Sequence, residues 1–164
     1  MIVHPIPPVF DGASVVLILG SFPSVKSREA GFFYGHPRNR FWRVTARVCG
    51  EETVPVTTEE KRAFLLSHHI ALWDVIASCE IRGSSDTSIR DVVPNDVSHI
   101  LAAAPIRAVL CNGTKAYALY NKYILPQTGR TAFLLPSTSP ANAQLSEDAL
   151  AARWREAVCP YLSC

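Results

Sequence analysis

Five consecutive apolar residues, Val15 to Leu19, leave no position polar enough to face water, so the run predicts a short strand buried on both faces. Three similar runs follow, at Ile70 to Trp73, Ile106 to Cys111 and Thr131 to Leu135. Between them the apolar period lengthens to that of a helix. Phe41, Val44 and Val48 give Arg40 to Cys49 one apolar face, which Gly50 ends. Thr57 and Glu60 have capping-box spacing and open a helix through Phe64, Leu65 and Leu66 to about His68. Asn95 reads as the cap of a helix carrying Val97, Ile100 and Leu101, stopped by Pro105. Tyr117, Tyr120 and Ile124 are spaced for a helix over Thr114 to Ile124. Ser146 caps a last helix with Leu150, Trp154 and Val158 along its core face.

Short apolar strands alternating with amphipathic helices predict an α/β fold: a three-layer α/β/α sandwich around a central four-stranded parallel sheet, with residues 1–164 as one domain. Right-handed crossovers then bring all four strands to end on one edge. That edge collects Gly20–Ser24, Asp74, Asn112–Lys115 and Ser137–Asn142, and the carboxyl edge of a parallel sheet is where ligands bind.

Composition narrows the class. The chain has 164 residues, of which 48% are hydrophobic, enough for a substantial core. A net charge of +2 is too small to argue for a polyanionic partner, but its distribution is uneven. Ser24 to Arg47 holds six basic residues and one acid, a balance of +5, leaving ten basic and thirteen acidic residues elsewhere. A basic segment on a slightly acidic body suits a polyanion on one face; a solvated arginine-bearing helix is the plainer alternative. The five cysteines include no C-x-x-C pair, which argues against a disulfide framework and against a zinc or iron–sulfur site. No metal or cofactor is expected. The N-terminus lacks the regions of a signal peptide and no apolar run approaches a membrane span, so the expected compartment is the cytoplasm.

Candidate chemistry gathers after the first strand. Gly20-Ser21-Phe22-Pro23-Ser24 makes a turn, and Phe32, Phe33 and Tyr34 are followed by Arg38, Asn39 and Arg40. Rings interleaved with cations suit base stacking and phosphate contact. Phe32 and Phe33 are equally well read as core, the commoner fate of aromatics.

Taken in order, these segments resemble the uracil-DNA glycosylase superfamily. Gly20 to Ser24 resembles its first motif, a Gly-x-x-Pro turn; Leu72-Trp73-Asp74 falls where its base-reading residue ends the second strand. Ser137-Thr138-Ser139-Pro140-Ala141-Asn142 resembles its second motif. Phe32 to Trp42 is similar to the mismatch-specific branch, and the combination looks most like the hypoxanthine-DNA glycosylases. Two departures are informative. Phe22 stands where many relatives place the Asp or Asn that holds the attacking water, and Ser137 where they often place His. Both weigh against efficient uracil excision, and the hypoxanthine branch is similar in lacking them. Ser24 also replaces the glycine usual at the end of the first motif.

The resemblance implies a monofunctional DNA glycosylase, acting without cofactor as a monomer on damaged DNA. The target is chiefly deoxyinosine, with deoxyuridine or deoxyxanthosine as further substrates. It implies Asn39 as the catalytic residue, orienting water and offering a carbonyl dipole to the sugar; the same Asn, just before an apolar helix, also suits an N-cap. Base binding falls to Asp74, Tyr34, Phe22, Ser21 and Asn112, with Asp74 accepting an N–H and Tyr34 stacking on the extruded base. DNA binding falls to Ser24, Arg38, Arg40, Lys115, Ser137, Ser139 and Asn142. Somewhere in Asn142 to Leu145 a side chain is expected to fill the vacated stack, Ala141 being too small. The alternatives are a uracil or G/T-mismatch glycosylase on the same scaffold, a noncatalytic DNA or nucleotide binder, and a small-molecule enzyme on a generic doubly wound sheet.

Overall fold

A computed structural model describes residues 1–164. Four strands, β2 (Val16–Gly20), β3 (Ile70–Asp74), β6 (Ala108–Asn112) and β7 (Ala132–Leu135), form a parallel sheet in the order β3-β2-β6-β7. These are the four apolar runs of the sequence, each shifted by a residue or two. β2 lies inside the sheet and is buried throughout, as an uninterrupted apolar run requires.

Alternate residues of the sheet feed two cores. Val16, Ile18, Leu72 and Leu110 pack under α2 (Phe41–Val48), α3 (Thr58–Ser67) and α7 (Glu147–Leu162), which bring Phe41, Val44, Leu65, Leu150 and Trp154. Leu17, Leu19, Val109 and Cys111 face the opposite way, against α4 (Ser98–Ala103) and α5 (Thr114–Leu119). The expected three layers are therefore present. Thr57 and Ser146 cap their helices, each side chain accepting from the backbone N–H three residues on.

Several elements lie outside the sequence reading. β1 (Ile2–Val3), β4 (Ile76–Glu80) and β5 (Arg90–Pro94) form a second, antiparallel sheet in the order β1-β4-β5. β4 begins two residues after β3 ends, so Asp74 sits at the corner between the sheets. α1 (Val25–Ala30) follows the first turn, capped by the Ser24 hydroxyl. The helix expected over Thr114 to Ile124 is α-helical only to Leu119 and widens into a π turn over Tyr120–Ile124; α6 (Leu125–Thr128) then completes it.

Two readings are corrected. Asn95 does not cap α4; its buried amide donates to the carbonyls of Asp74 (2.9 Å) and Ile76 (3.1 Å), while Asp96 accepts from the Ser98 N–H at 3.0 Å. An amide offering two donors spans two carbonyls of a sharp corner, which a one-turn cap would not use. The cysteines argued against a disulfide framework, yet one pair, Cys159 and Cys164, is joined by a disulfide with its Cα atoms 5.1 Å apart; Cys49, Cys79 and Cys111 are free thiols. The pairing closes the last helical turn, a local contact that spacing alone does not announce.

Candidate active site

The carboxyl ends of β2, β3 and β6, with the loop after β7, enclose a cavity of about 360 Å³, within the range of small-molecule sites. Of the residues expected there, Ser21, Phe22, Ser24, Tyr34, Asn39, Asp74, Asn112, Ser137 and Ser139 line it. Lys115 and Asn142 line a neighbouring groove of about 480 Å³ that shares Asp86, Asn112 and Ser137 with the first cavity. Arg38 and Arg40 line neither.

Asp74 is almost wholly buried, at 3% exposure. Its Oδ2 lies 2.7 Å from Nε2 of His4, a residue 70 positions away on the N-terminal segment. No protein group donates to Oδ1, and that atom is not sealed from solvent, so it opens to the cavity. Gly20 makes this possible. A Cβ at position 20 would collide with Asp74 Oδ1 and come within 2.9 Å of the Tyr34 hydroxyl.

Tyr34 adopts a left-handed φ of 52° and stacks on Phe41, ring centroids 4.2 Å apart. Its hydroxyl accepts from Asn112 Nδ2 at 3.1 Å. Burial, and after it the Asp74 carboxylate, raise the phenol far above its ordinary range, so it stays neutral. One face of the ring is thus spent on Phe41. Phe32 and Phe33 are core, as their alternative reading had it.

Asn112 is engaged on every side. Nδ2 also donates to Thr138 Oγ1 at 3.0 Å, and Oδ1 accepts from the Thr138 N–H at 3.0 Å. Gly113, at φ 98°, passes close to Ser137, where a Cβ would come within 3.1 Å of the serine Cβ. The ends of β6 and β7 are therefore fastened together beneath the second-motif loop.

Asn39 faces the cavity with Oδ1 fixed by the Phe41 N–H at 3.0 Å. That bond anchors the first residue of α2, whose N-cap position is Arg40 with no side-chain capping bond, so Asn39 stands one residue before the cap expected of it; Nδ2 has no protein acceptor. His36 lines the same wall, and its Nδ1 accepts from the Arg38 N–H at 3.0 Å. Across the cavity, Asp86 accepts from the Ser21 hydroxyl at 3.0 Å. Burial raises the Asp86 carboxyl above the usual carboxylate range, opposed by the Ser21 bond and by Lys115.

The basic segment is less available than its charge suggests. Arg43 pairs with Glu147 at 2.7 Å and Arg47 with Asp148 at 2.8 Å, binding α2 to the acidic first turn of α7. Arg40 donates to the carbonyls of Leu145 (2.7 Å) and Asn142 (2.8 Å), so its guanidinium holds the second-motif loop. Asn142 reaches back to the Ser137 carbonyl at 2.9 Å. Leu145 packs on the core, leaving Ala143 and Gln144 as the exposed tip of that loop. Arg38 is exposed and makes no ion pair.

Sequence reasoning passed over His4, His36, Asp86 and Thr138 as site residues, and read Asn95 only as a helix cap. His36 and Thr138 lie inside quoted motifs and were within reach. His4 and Asp86 carry no local signal, because only the fold brings them to Asp74 and Ser21.

The fold and the site together define a DNA glycosylase: residues 7–161 match the family model of the uracil DNA glycosylase superfamily, and the chain belongs to that family. Among its relatives is a protein of Methanosarcina acetivorans named hypoxanthine DNA glycosylase, 36% identical over 151 residues, 90% of this chain and 93% of the relative. A Methanosarcina barkeri protein of the same name is 36% identical over 139 residues, 83% of this chain and 85% of the other. The solution NMR structure of a Methanosarcina acetivorans protein, described provisionally as a uracil DNA glycosylase, superposes with a TM-score of 0.78 at 36% identity, covering 95% of this chain and 98% of that one. No helix is long and apolar enough to cross a membrane.

Proposed function

We propose that the protein hydrolyses the N-glycosidic bond of deoxyinosine in DNA and releases hypoxanthine, with the target nucleotide turned out of the duplex into the cavity. The observation that carries this reading is the unpartnered Oδ1 of Asp74, a buried anionic acceptor at the cavity wall. A carboxylate accepts and does not donate. Hypoxanthine meets it with N1–H, whereas adenine offers a lone pair at N1 and would leave the buried oxygen unpaired. Such a mismatch discriminates by orders of magnitude in sites built for a hydrogen bond. The relatives named hypoxanthine DNA glycosylase support the same choice.

In the reaction, the bond from C1′ to N9 lengthens, positive charge grows on the sugar and the base leaves with the electron pair. Asn39 does not act as a base, since an amide does not titrate near neutrality. Its carbonyl oxygen, held by the Phe41 N–H, keeps a lone pair for the water that attacks C1′ and turns its dipole towards the oxocarbenium-like sugar. One water proton passes to solvent, and the departing base takes up a proton to leave as neutral hypoxanthine. Phe22, adjacent to the Asp86-bound Ser21, offers a dry wall. Asn112 and Thr138 hold the opposite wall in place, and the Ser139 turn, Lys115 and Arg38 are the proposed contacts for flanking phosphates.

Uracil presents N3–H and meets the same acceptor, so it is the competing substrate. The test is base release, in EDTA, from duplexes that differ only at the target base. Hypoxanthine should be released fastest and adenine slower by orders of magnitude. Absence of free base from the inosine duplex would sink the reading; faster release of uracil would reassign the substrate. Asp74→Asn, whose amide can turn a donor to the base, should lose discrimination between inosine and adenine.

A further inference from the structure

The N-terminal segment supplies a part of base recognition that the motifs do not contain. His4 Nδ1 accepts from the Ile6 backbone N–H at 3.2 Å. A backbone N–H can only donate, so the lone pair of Nδ1 faces it and the ring proton resides on Nε2. Nε2–H therefore donates to Asp74 Oδ2 at 2.7 Å. Both side chains are nearly sealed, at 3% and 4% exposure. The imidazole is held edge-on to Phe22 and Trp73, with ring centroids 5.8 and 6.4 Å away, and tilted to Phe33 at 6.1 Å. It has little room to turn its other nitrogen to the carboxylate.

Resting on the glycosylase reading above, we infer that His4 is a specificity-determining positioning residue: its Nε2–H occupies Oδ2 of Asp74, so that the carboxylate presents one anionic oxygen to the base. The backbone side of the corner is fixed separately, by Asn95 on the Asp74 and Ile76 carbonyls. Without the imidazole donor, neither carboxylate oxygen would have a protein donor, and the carboxylate would be free to rotate about its own bond. A rotated carboxylate no longer holds an acceptor opposite N1–H of hypoxanthine, so the hydrogen bond that favours inosine over adenine is lost. His4 thus acts on selectivity through Asp74, with no contact to the sugar or the water.

The experiment uses two substitutions in the full chain. His4→Phe keeps an aromatic ring and removes the donor; His4→Gln keeps a donor. Single-turnover release is measured on inosine and adenine duplexes alongside a thermal melt. The ratio of the two rates should fall at least about tenfold in His4→Phe and stay within about threefold of the parent in His4→Gln. A folded His4→Phe with the parent's ratio would overturn the inference. Should His4→Phe not fold, the ring nitrogens of the parent decide by 15N NMR: a protonated Nε2 beside an unprotonated Nδ1 is the expected pattern, and the opposite tautomer overturns it. Lack of any release by the parent would count against the glycosylase reading alone, because the tautomer is read without substrate.

Discussion

Asn112 and Thr138 grip each other twice, amide nitrogen to hydroxyl and backbone N–H to amide oxygen, both at 3.0 Å. The pair spans 26 residues and ties the ends of β6 and β7 beside the cavity. Asn112→Ala should leave the Thr138 N–H, in a fully buried residue, without a partner, and cost about 1–3 kcal/mol of stability. Thr138→Val removes only the hydroxyl and should cost less. Urea denaturation of both variants checks the order. Equal losses would mean that the backbone bond contributes nothing.

Asn39 holds the Phe41 N–H and is proposed to orient the attacking water, and substitutions should separate the two. Asn39→Ala is expected to lower single-turnover excision by about 100-fold with little change in affinity for inosine DNA, and to cost about 1 kcal/mol through the lost bond to Phe41. Asn39→Asp keeps an oxygen for that N–H and should melt like the parent. If Asn39→Ala excises at near-normal rates, the residue only anchors the start of α2 through the Phe41 N–H.

The two neighbouring arginines should behave differently. Arg38→Ala should reduce the salt slope of DNA binding by about one. Arg40→Ala should leave the slope unchanged and destabilise the fold by about 2 kcal/mol, because its guanidinium is committed to the Asn142 and Leu145 carbonyls. A reduced slope in Arg40→Ala alone would reverse the assignment.

Burial pushes the Cys49 thiol up to about 11 and the Cys111 thiol up to about 12, against about 8.5 for a free thiol. A folded-state value above the unfolded one gives stability that is complete below the unfolded value and lost as pH rises towards the folded value. Stability should therefore decline above about pH 8.5, through a window reaching about 11 for Cys49 and about 12 for Cys111. The midpoint of urea unfolding, compared at pH 8 and pH 10.5, should fall less in a Cys49→Ala, Cys111→Ala double variant than in the parent. The same fall in both would remove the thiols from the account.

What was legible in the sequence follows from how each element is stabilised. The four parallel strands announce themselves because both faces are buried, so no polar residue interrupts Val16 to Leu19 or Ala108 to Cys111. β4 and β5 do not. Ile76 to Glu80 mixes Ser, Cys and Glu, and Arg90 to Pro94 is half exposed, so neither carries a clean period. α1 buries only Ser27 and had no apolar stripe to show. Of the site, the motif residues of the turns were readable, since their chemistry lies in short runs at strand ends. The hydrogen bonds that fix those residues come from distant segments. Arg40, read as a phosphate contact, is bound to carbonyls more than 100 residues away, and nothing local distinguishes it from Arg38.

Gly20 closes β2 at the floor of the cavity, where a side chain would fall between Asp74 Oδ1 and the Tyr34 hydroxyl. A single methyl group there would behave as an inhibitor that never dissociates, tethered by the backbone and occupying the place proposed for the base at full effective concentration. Substrate could then outcompete it only by distorting β2, an interior strand of the sheet. Gly20→Ala would accordingly fill the pocket floor and push aside the Asp74 carboxylate or the Tyr34 hydroxyl, since neither leaves room for a Cβ.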